Sequence, residues 1–503
     1  MIKTPLPGQD SLFCIPTLPR MFTRKSITVA LCATISLLLL LATSRRLGGW
    51  AAIDDPLYQS DGRGHHHPPP PGQKSGPGPR PHPSEIPDCA GYPIPDNILV
   101  IMKTGASESF NRVPTQLLTV LKCVPDFLIF SDMEQKIGGY QVYDSLSNVS
   151  AEAMEGNSDF DLYRRQKACP VDVEGCNKQG NPATEGWNLD KYKNVHMAEQ
   201  TYKMRPGYDW YVFVDADTYV LWPNLVQWLG KLNPNKKHYL GSVTMIQGFR
   251  FGHGGSGYVV SKASMKALVD ENPGVGQKYD LRAKRECCGD YVFALALKDN
   301  ADVSVEQMWP TINGEKPATL PFGPWHWCHP IVTMHHMNSE EINTFWEFER
   351  RFRKEQLASG NPRPLLIKDI YHEYLEPKLK REQLDWDNKS DDRFYVDLAA
   401  KEWDEGTLHR MKKASDYNEL EKVAHRSASD CEAACKSLPP DDCVQYKYED
   451  GKCAMHKSFI LGKPVPKKEG AQQSISGWDV EKIKEWTERE KVCDKIQWPN
   501  LSS

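Results

Sequence analysis

The chain is short of net charge. Its 62 Lys and Arg stand against 66 Asp and Glu, a balance of −4 over 503 residues. That balance excludes a broad basic field and, with it, general nucleic-acid binding. The basic clusters are local, as at 350–354, and read as a solvated helix face. The phosphate-loop spacing Gly-x4-Gly-Lys-Ser/Thr is absent from the glycine-rich stretches. A further carboxylate and histidine cluster for a second metal is also absent, which disfavours a two-metal hydrolase. Hydrophobic and charged contents of 40% and 25% are ordinary for a globular protein. The length allows two or three domains at about 150 residues each.

Long apolar runs are scarce too, and the one present is informative. Ile27 to Thr43 carries no charge and includes Leu37 through Leu41. As a helix it reaches about 25 Å, enough for a thin bilayer. Arg20, Arg24 and Lys25 precede it, and Arg45 and Arg46 follow. The slight N-side excess of positive charge directs the remainder to the lumen. A cleaved signal peptide is the competing reading, disfavoured by the long leader and the basic pair after the run. The expected layout is a cytosolic tail at 1–25, a transmembrane signal anchor at 26–44 and a Pro/Gly-rich stem at 45–87. Met21 is an alternative start. The stem, with His65 to His67 running into Pro68 to Pro71, lacks the composition for a packed core and serves as a semi-rigid spacer. A short span suits a Golgi or ER membrane. Of 14 cysteines, all but Cys14 and Cys32 follow the run, an even number for an oxidising compartment. Asn148, Asn388 and Asn500 head glycosylation sequons on the same side.

A folded region is expected to begin at about residue 88. Asn97 to Met102 reads as a strand, Val113 to Val124 as a helix, Asp126 to Phe130 as a strand and Leu189 to Met204 as a helix. The alternation implies an α/β fold with a parallel sheet. The apolar run Trp210 to Val214 reads as a strand buried on both faces, and it ends in Asp215 and Asp217. Residues two apart on an extended chain point the same way, so both carboxylates are expected to emerge together. The carboxyl end of such a strand is where ligands sit in open α/β sheets. Paired carboxylates repel; a divalent cation relieves the repulsion and keeps positions free for phosphate oxygens. Residues 346–425 are charged with spaced aromatics and read as a helical extension or linker.

Beyond the aspartates lies Gly254-Gly-Ser-Gly-Tyr-Val-Val-Ser-Lys262, dense enough in glycine for close backbone approach. The combination of Asp215-Ala-Asp217-Thr-Tyr-Val, this glycine segment and a later histidine resembles glycosyltransferase family 31. Within it the chain is most similar to the core 1 β1,3-galactosyltransferase and Fringe branch, over roughly residues 97 to 345. The resemblance implies a GT-A fold at 88–345, a Rossmann-like mixed sheet flanked by helices. It implies inverting transfer from a nucleotide sugar, usually with Mn²⁺. Carried onto this chain, Asp217 is the direct metal ligand and Asp215 assists the nucleotide. Val332-Thr-Met-His-His-Met337 makes His335 the second ligand, with His336 as rival; a carboxylate–imidazole set suits Mn²⁺. Asp290 falls where the family places its catalytic base, with Gly289 replacing the other acidic member; a helix-start aspartate is the bland alternative. Thr104, Gly105, Gly254 and Gly255 fall to the donor. Trp325 and Trp327 are candidates for stacking on an acceptor sugar, with core packing as the alternative.

The tail, residues 426–503, differs in composition. Cys431, Cys435, Cys443 and Cys453 form a small cysteine-rich module, read as disulfides in preference to zinc. Together with Ser476-Gly-Trp478, the spacing resembles the PAN/apple domain, which implies two bridges beside a helix. Both the catalytic part and the tail then hold an odd number of cysteines, so full pairing needs a bridge between them, and Cys493 is its natural tail member. The leading functional reading is a transferase of a sugar, galactose through a β1,3 bond, from a UDP donor to a glycan or glycoprotein. The alternative is a non-catalytic glycan-binding or chaperone-like protein that keeps the fold.

Overall fold

Ile98 to Met102 offer no polar face, so the strand they form has to be covered on both sides. In the computed structural model, which describes residues 81–169, 171–466 and 473–500, that strand is Ile98–Lys103. It pairs in parallel with Phe127–Ser131 on one side and with Trp210–Asp215 on the other. Alternate residues enter two separate cores. Val100, Met102, Val212 and Val214 face Trp222, Trp228 and Phe345. Leu99, Ile101, Tyr211 and Phe213 face Met265, Phe293 and Leu297. The expected cytosolic tail, anchor and most of the stem lie outside the described residues. Among the described residues no helix is long and apolar enough to cross a membrane.

Eight strands make the main sheet, in the order Glu306–Gln307, Tyr239–Gly241, Tyr258–Ser261, Trp210–Asp215, Ile98–Lys103, Phe127–Ser131, Tyr140–Asp144 and Gln135–Ile137. It is mixed, since Tyr258–Ser261 runs antiparallel to both of its neighbours. The chain leaves Ile98–Lys103 for one side of the sheet and returns on the other at Trp210–Asp215. A crevice therefore opens at the carboxyl ends of these two strands. The helical stretch expected at Leu189–Met204 is two helices, Pro182–Asp190 and Lys193–Met204.

The segment 346–425 departs from the helical extension expected. Helix Ser339–Ala358 is followed by a helical turn to Leu375, but Glu382–Leu384 and Arg393–Val396 are strands. They form the two edges of an antiparallel five-stranded sheet with Ile475–Trp478, Gln445–Glu449 and Lys452–His456. Glu382–Leu384 is short and polar and Phe394 to Val396 is a brief apolar run in a charged stretch, so only their partners in the tail sheet define them as strands. Helix Ala428–Ser437 packs on this sheet through Cys431–Cys453, and Cys435–Cys443 closes the turn after it. Asn388 is fully buried there, its Nδ2 donating to the carbonyls of Tyr446 and Gly477 at 3.0 and 3.3 Å. It is therefore not an accessible glycosylation site in this fold, whereas Asn148 and Asn500 are exposed.

The tail shares its core with the body. Val444, Phe459, Trp478 and Trp486 belong to the same apolar cluster as Trp327, Ile331 and Tyr371. Cys493 is bonded to Cys328, 165 residues away. Cys89–Cys123, Cys169–Cys176 and Cys287–Cys288 complete the pairing of the cysteines among the described residues. Peptide mapping under non-reducing conditions should recover the Cys328–Cys493 peptide; a free Cys493 thiol would contradict this arrangement.

Helix Ser339–Ala358 buries Glu349 against Tyr219, whose hydroxyl hydrogen-bonds to it. Burial raises the Glu349 carboxyl from 4.5 to about 8. The folded state thus keeps a proton that the unfolded chain releases. The contribution to stability is complete below pH 4.5 and is lost as pH rises to about 8. The slope is at most about 1.4 kcal/mol per pH unit. Urea unfolding across that window should show Glu349→Gln losing less stability with rising pH than the wild type. Parallel pH profiles would refute the assignment.

Candidate functional site

Lys103 and Asp215 are register partners at the carboxyl ends of adjacent strands. The Lys103 ammonium lies 3.4 Å from Asp215 Oδ1 and 2.7 Å from Asp190 Oδ2. Burial opposes the Lys103 charge, but Asp190 and Asp215 more than offset it and hold the pKa above the ordinary lysine range. Asp215 is pushed up to about 6, chiefly by burial, with Lys103 acting in the opposite direction. Lys193, deeply buried, donates to the Thr104 carbonyl at 3.1 Å.

The strand ends at Asp215, and Asp217 lies in a turn. The two carboxylates thus reach the same cavity through a turn rather than through the two-residue period of extended chain. Backbone contacts hold that turn. Ala216 N–H donates to the Lys103 carbonyl at 2.8 Å, and the buried Gln116 amide donates to the carbonyls of Ala216 and Thr218 at 2.9 and 3.0 Å. Just beyond it, Tyr219–Val220 pairs with Thr333–Met334. This short ladder carries His335 to Asp217, with Nε2 3.3 Å from Oδ1. Arg112 approaches the other oxygen at 3.2 Å. Burial works against the Asp217 charge, yet the His335 hydrogen bond and Arg112 hold its pKa below the ordinary value.

His336 joins this group. Its backbone sits at φ 60°, a left-handed conformation that non-glycine residues adopt at a cost. Asp217, His335 and His336 each offer a ligand atom, and these atoms lie within 4.8 Å of one another. Among the described residues the buried Nδ1 of His335 has no hydrogen-bond partner. One carboxylate and two imidazoles fit a divalent transition metal. A second grouping joins Asp391 and Asp392 of the 346–425 segment to His456 of the tail, and it does not line the cavity.

The glycine segment closes over these residues. A Cβ on Gly255 would collide with the His335 ring. Gly257 has φ 79° and turns the chain back, its N–H reaching the Gly254 carbonyl at 2.9 Å. Gly254 N–H donates to Asp290 Oδ2 at 2.7 Å, and Tyr291 N–H donates to Oδ1 at 2.8 Å. Gly254 and Gly255 therefore line the cavity, but they are glycines because Asp290 and His335 press against them. Asp290 stands in the first turn of helix Gly289–Ala301.

The cavity encloses about 730 Å³ and brings together Thr104, Gly105, Asp215, Asp217, Gly254, Gly255, Asp290, His335 and His336. Trp325 and Trp327 do not line it. Trp327 is 2% exposed, stacks edge-on against Trp486 with centroids 5.0 Å apart, and donates its indole N–H to the Glu490 carbonyl. Its role is to join the tail to the body. Trp325 is 69% exposed and lies outside the cavity lining. The sequence reading missed Lys103, Asp190 and His253, which line the cavity, and Arg112, which pairs with Asp217. Lys103 was signalled by its place at a strand end; the others come from helices or loops whose approach only packing determines.

Residues 173–307 match the family model described as Fringe-like. The match contains Asp215, Asp217, Gly254, Gly255 and Asp290, and the fold around it is α/β of GT-A type, a mixed sheet flanked by helices with disulfides in the C-terminal region. At the level of the family it indicates a glycosyltransferase.

Replacing Lys103 by Met leaves Asp190 and Asp215 facing each other without their shared cation. Removing one partner of a buried ion pair costs on the order of 3 kcal/mol. Urea unfolding should register that loss, and an unchanged midpoint would show that the cluster is solvated.

Proposed function

We propose that this chain is an inverting, metal-dependent glycosyltransferase that moves a sugar from a UDP donor to a hydroxyl of a glycan or glycoprotein. The observation that carries the reading is the meeting of Asp217, His335 and His336 with Asp290 in one cavity at the ends of the central strands. Asp217, His335 and His336 are the residues to hold Mn²⁺ or another divalent cation. When bound, such a cation supplies Lewis-acid neutralisation of the diphosphate. Asp215, Thr104 and Gly105 line the donor side, with Lys103 holding Asp215 in place. Asp290 takes the proton of the acceptor hydroxyl as that oxygen bonds to the anomeric carbon and the bond from that carbon to the diphosphate breaks, releasing UDP. Galactose and a β1,3 linkage are the choices favoured by the sequence resemblance. The same reading gives a type II protein of the Golgi or ER membrane with one N-terminal span and a PAN/apple-like tail.

A second reading has one observation in its favour. Both Asp290 oxygens accept backbone N–H groups, which suits a structural carboxylate in a non-catalytic glycan-binding or chaperone-like protein. Solubilised full chain with Mn²⁺ should release UDP from one of UDP-galactose, UDP-N-acetylglucosamine or UDP-glucose. Asp217→Ala and chelation should each reduce release by about 100-fold or more, as expected when charge stabilisation is lost. Metal-dependent UDP binding without turnover on any acceptor would favour the second reading, and absence of both would refute the transferase.

A further inference from the structure

Trp187, Cys287 and Cys288 line the cavity but have no part in the chemistry above. Trp187 lines it yet leaves 65% of its surface exposed. It sits on helix Pro182–Asp190, three residues before Asp190, and so shares that residue's face. Asp190 in turn abuts the start of the Asp290 helix: a Cβ on Gly289 would lie 2.7 Å from the Asp190 carbonyl oxygen. Immediately before Gly289, Cys287 and Cys288 are bonded to each other, and both line the cavity. An indole and a disulfide are thus two apolar surfaces on the side of the cavity that holds Asp290. The metal-ligating side chains come from other segments of the chain, the Asp217 turn and the His335 segment.

We infer that Trp187 and the Cys287–Cys288 bridge form the acceptor subsite and receive a pyranose ring through its apolar face. The inference rests on the transferase reading for its placement. In inversion the acceptor hydroxyl lies between the base and the anomeric carbon, on the side opposite the departing diphosphate. The sugar that carries this hydroxyl therefore lies on the Asp290 side, against these two surfaces. A broad indole left open to water is a cost that a bound ring removes. Recognition is of the ring's C–H face, with Asp290 and Thr244 as polar partners for its hydroxyls. Such an arrangement selects the acceptor and leaves the nucleotide untouched.

The test uses full chain with two probes, UDP in the presence of Mn²⁺ and a panel of methyl glycosides of galactose, glucose, mannose and the two N-acetylhexosamines. Saturation-transfer NMR reads binding of each. One or more glycosides should bind the wild type, weaken about tenfold in Trp187→Ala, and recover in Trp187→Phe. Cys287→Ser/Cys288→Ser should weaken the same glycosides. UDP affinity should be unchanged in every variant. Loss of UDP binding in Trp187→Ala would overturn the subsite by showing that the indole stacks on the donor base. Glycosides that ignore Trp187→Ala, or that never bind the wild type, would also overturn it. Wild type that binds a glycoside through Trp187 but never binds UDP would refute the transferase reading and keep the sugar cleft.

Discussion

Lys103 meets Asp215 because two buried strands run parallel in a register that ends both at the same level. Without that ammonium, Asp190 and Asp215 would share a low-dielectric crevice with no cation between them, since Lys193 reaches only Asp190, at 3.8 Å, and Arg112 serves Asp217. With it, Asp215 can be held beneath the turn that presents Asp217, and the Tyr219–Val220 ladder can bring His335 in from more than a hundred residues away. The glycine segment depends on the same geometry. It fits because Gly255 lacks the Cβ that would strike the His335 ring, while Gly254 packs tightly on Asp290. One ion cluster thus fixes the spacing of three chain segments around a single cavity.

The tail is built into the body rather than appended to it. Trp327, Phe459 and Trp486 form a continuous aromatic layer between the two, and Cys328–Cys493 closes a long loop across it. Edge strands from 382–396 complete the tail sheet. The stretch between the two parts is therefore structural to both, which explains its mixture of charge and regularly spaced aromatics.

How far the sequence could be read depends on the range of the interaction concerned. The strands around Val100 and Val212 were legible because a doubly buried strand has no polar alternation to confuse it. Cysteine parity pointed across the chain because an oxidising compartment leaves few thiols unpaired. Trp327 was not legible as a core residue, since an aromatic beside a motif looks the same whether it meets sugar or Trp486. Asn388 carries a sequon that burial closes. The strands at 382–396 are three and four residues long and lie in a charged stretch, too short to show a period of their own.

By itself the sequence determined the α/β class, the buried strand that ends at Asp215, and the supply of residues able to bind metal, because local pattern and composition dictate these. Tertiary structure alone decided which residues meet. It set Asp217 on a turn rather than a strand, drew His336 in beside His335, placed Lys103 between Asp190 and Asp215, and turned Trp187 rather than Trp327 to the cavity. The physical reason is that such encounters depend on the packing of segments far apart in the chain, which no local pattern records.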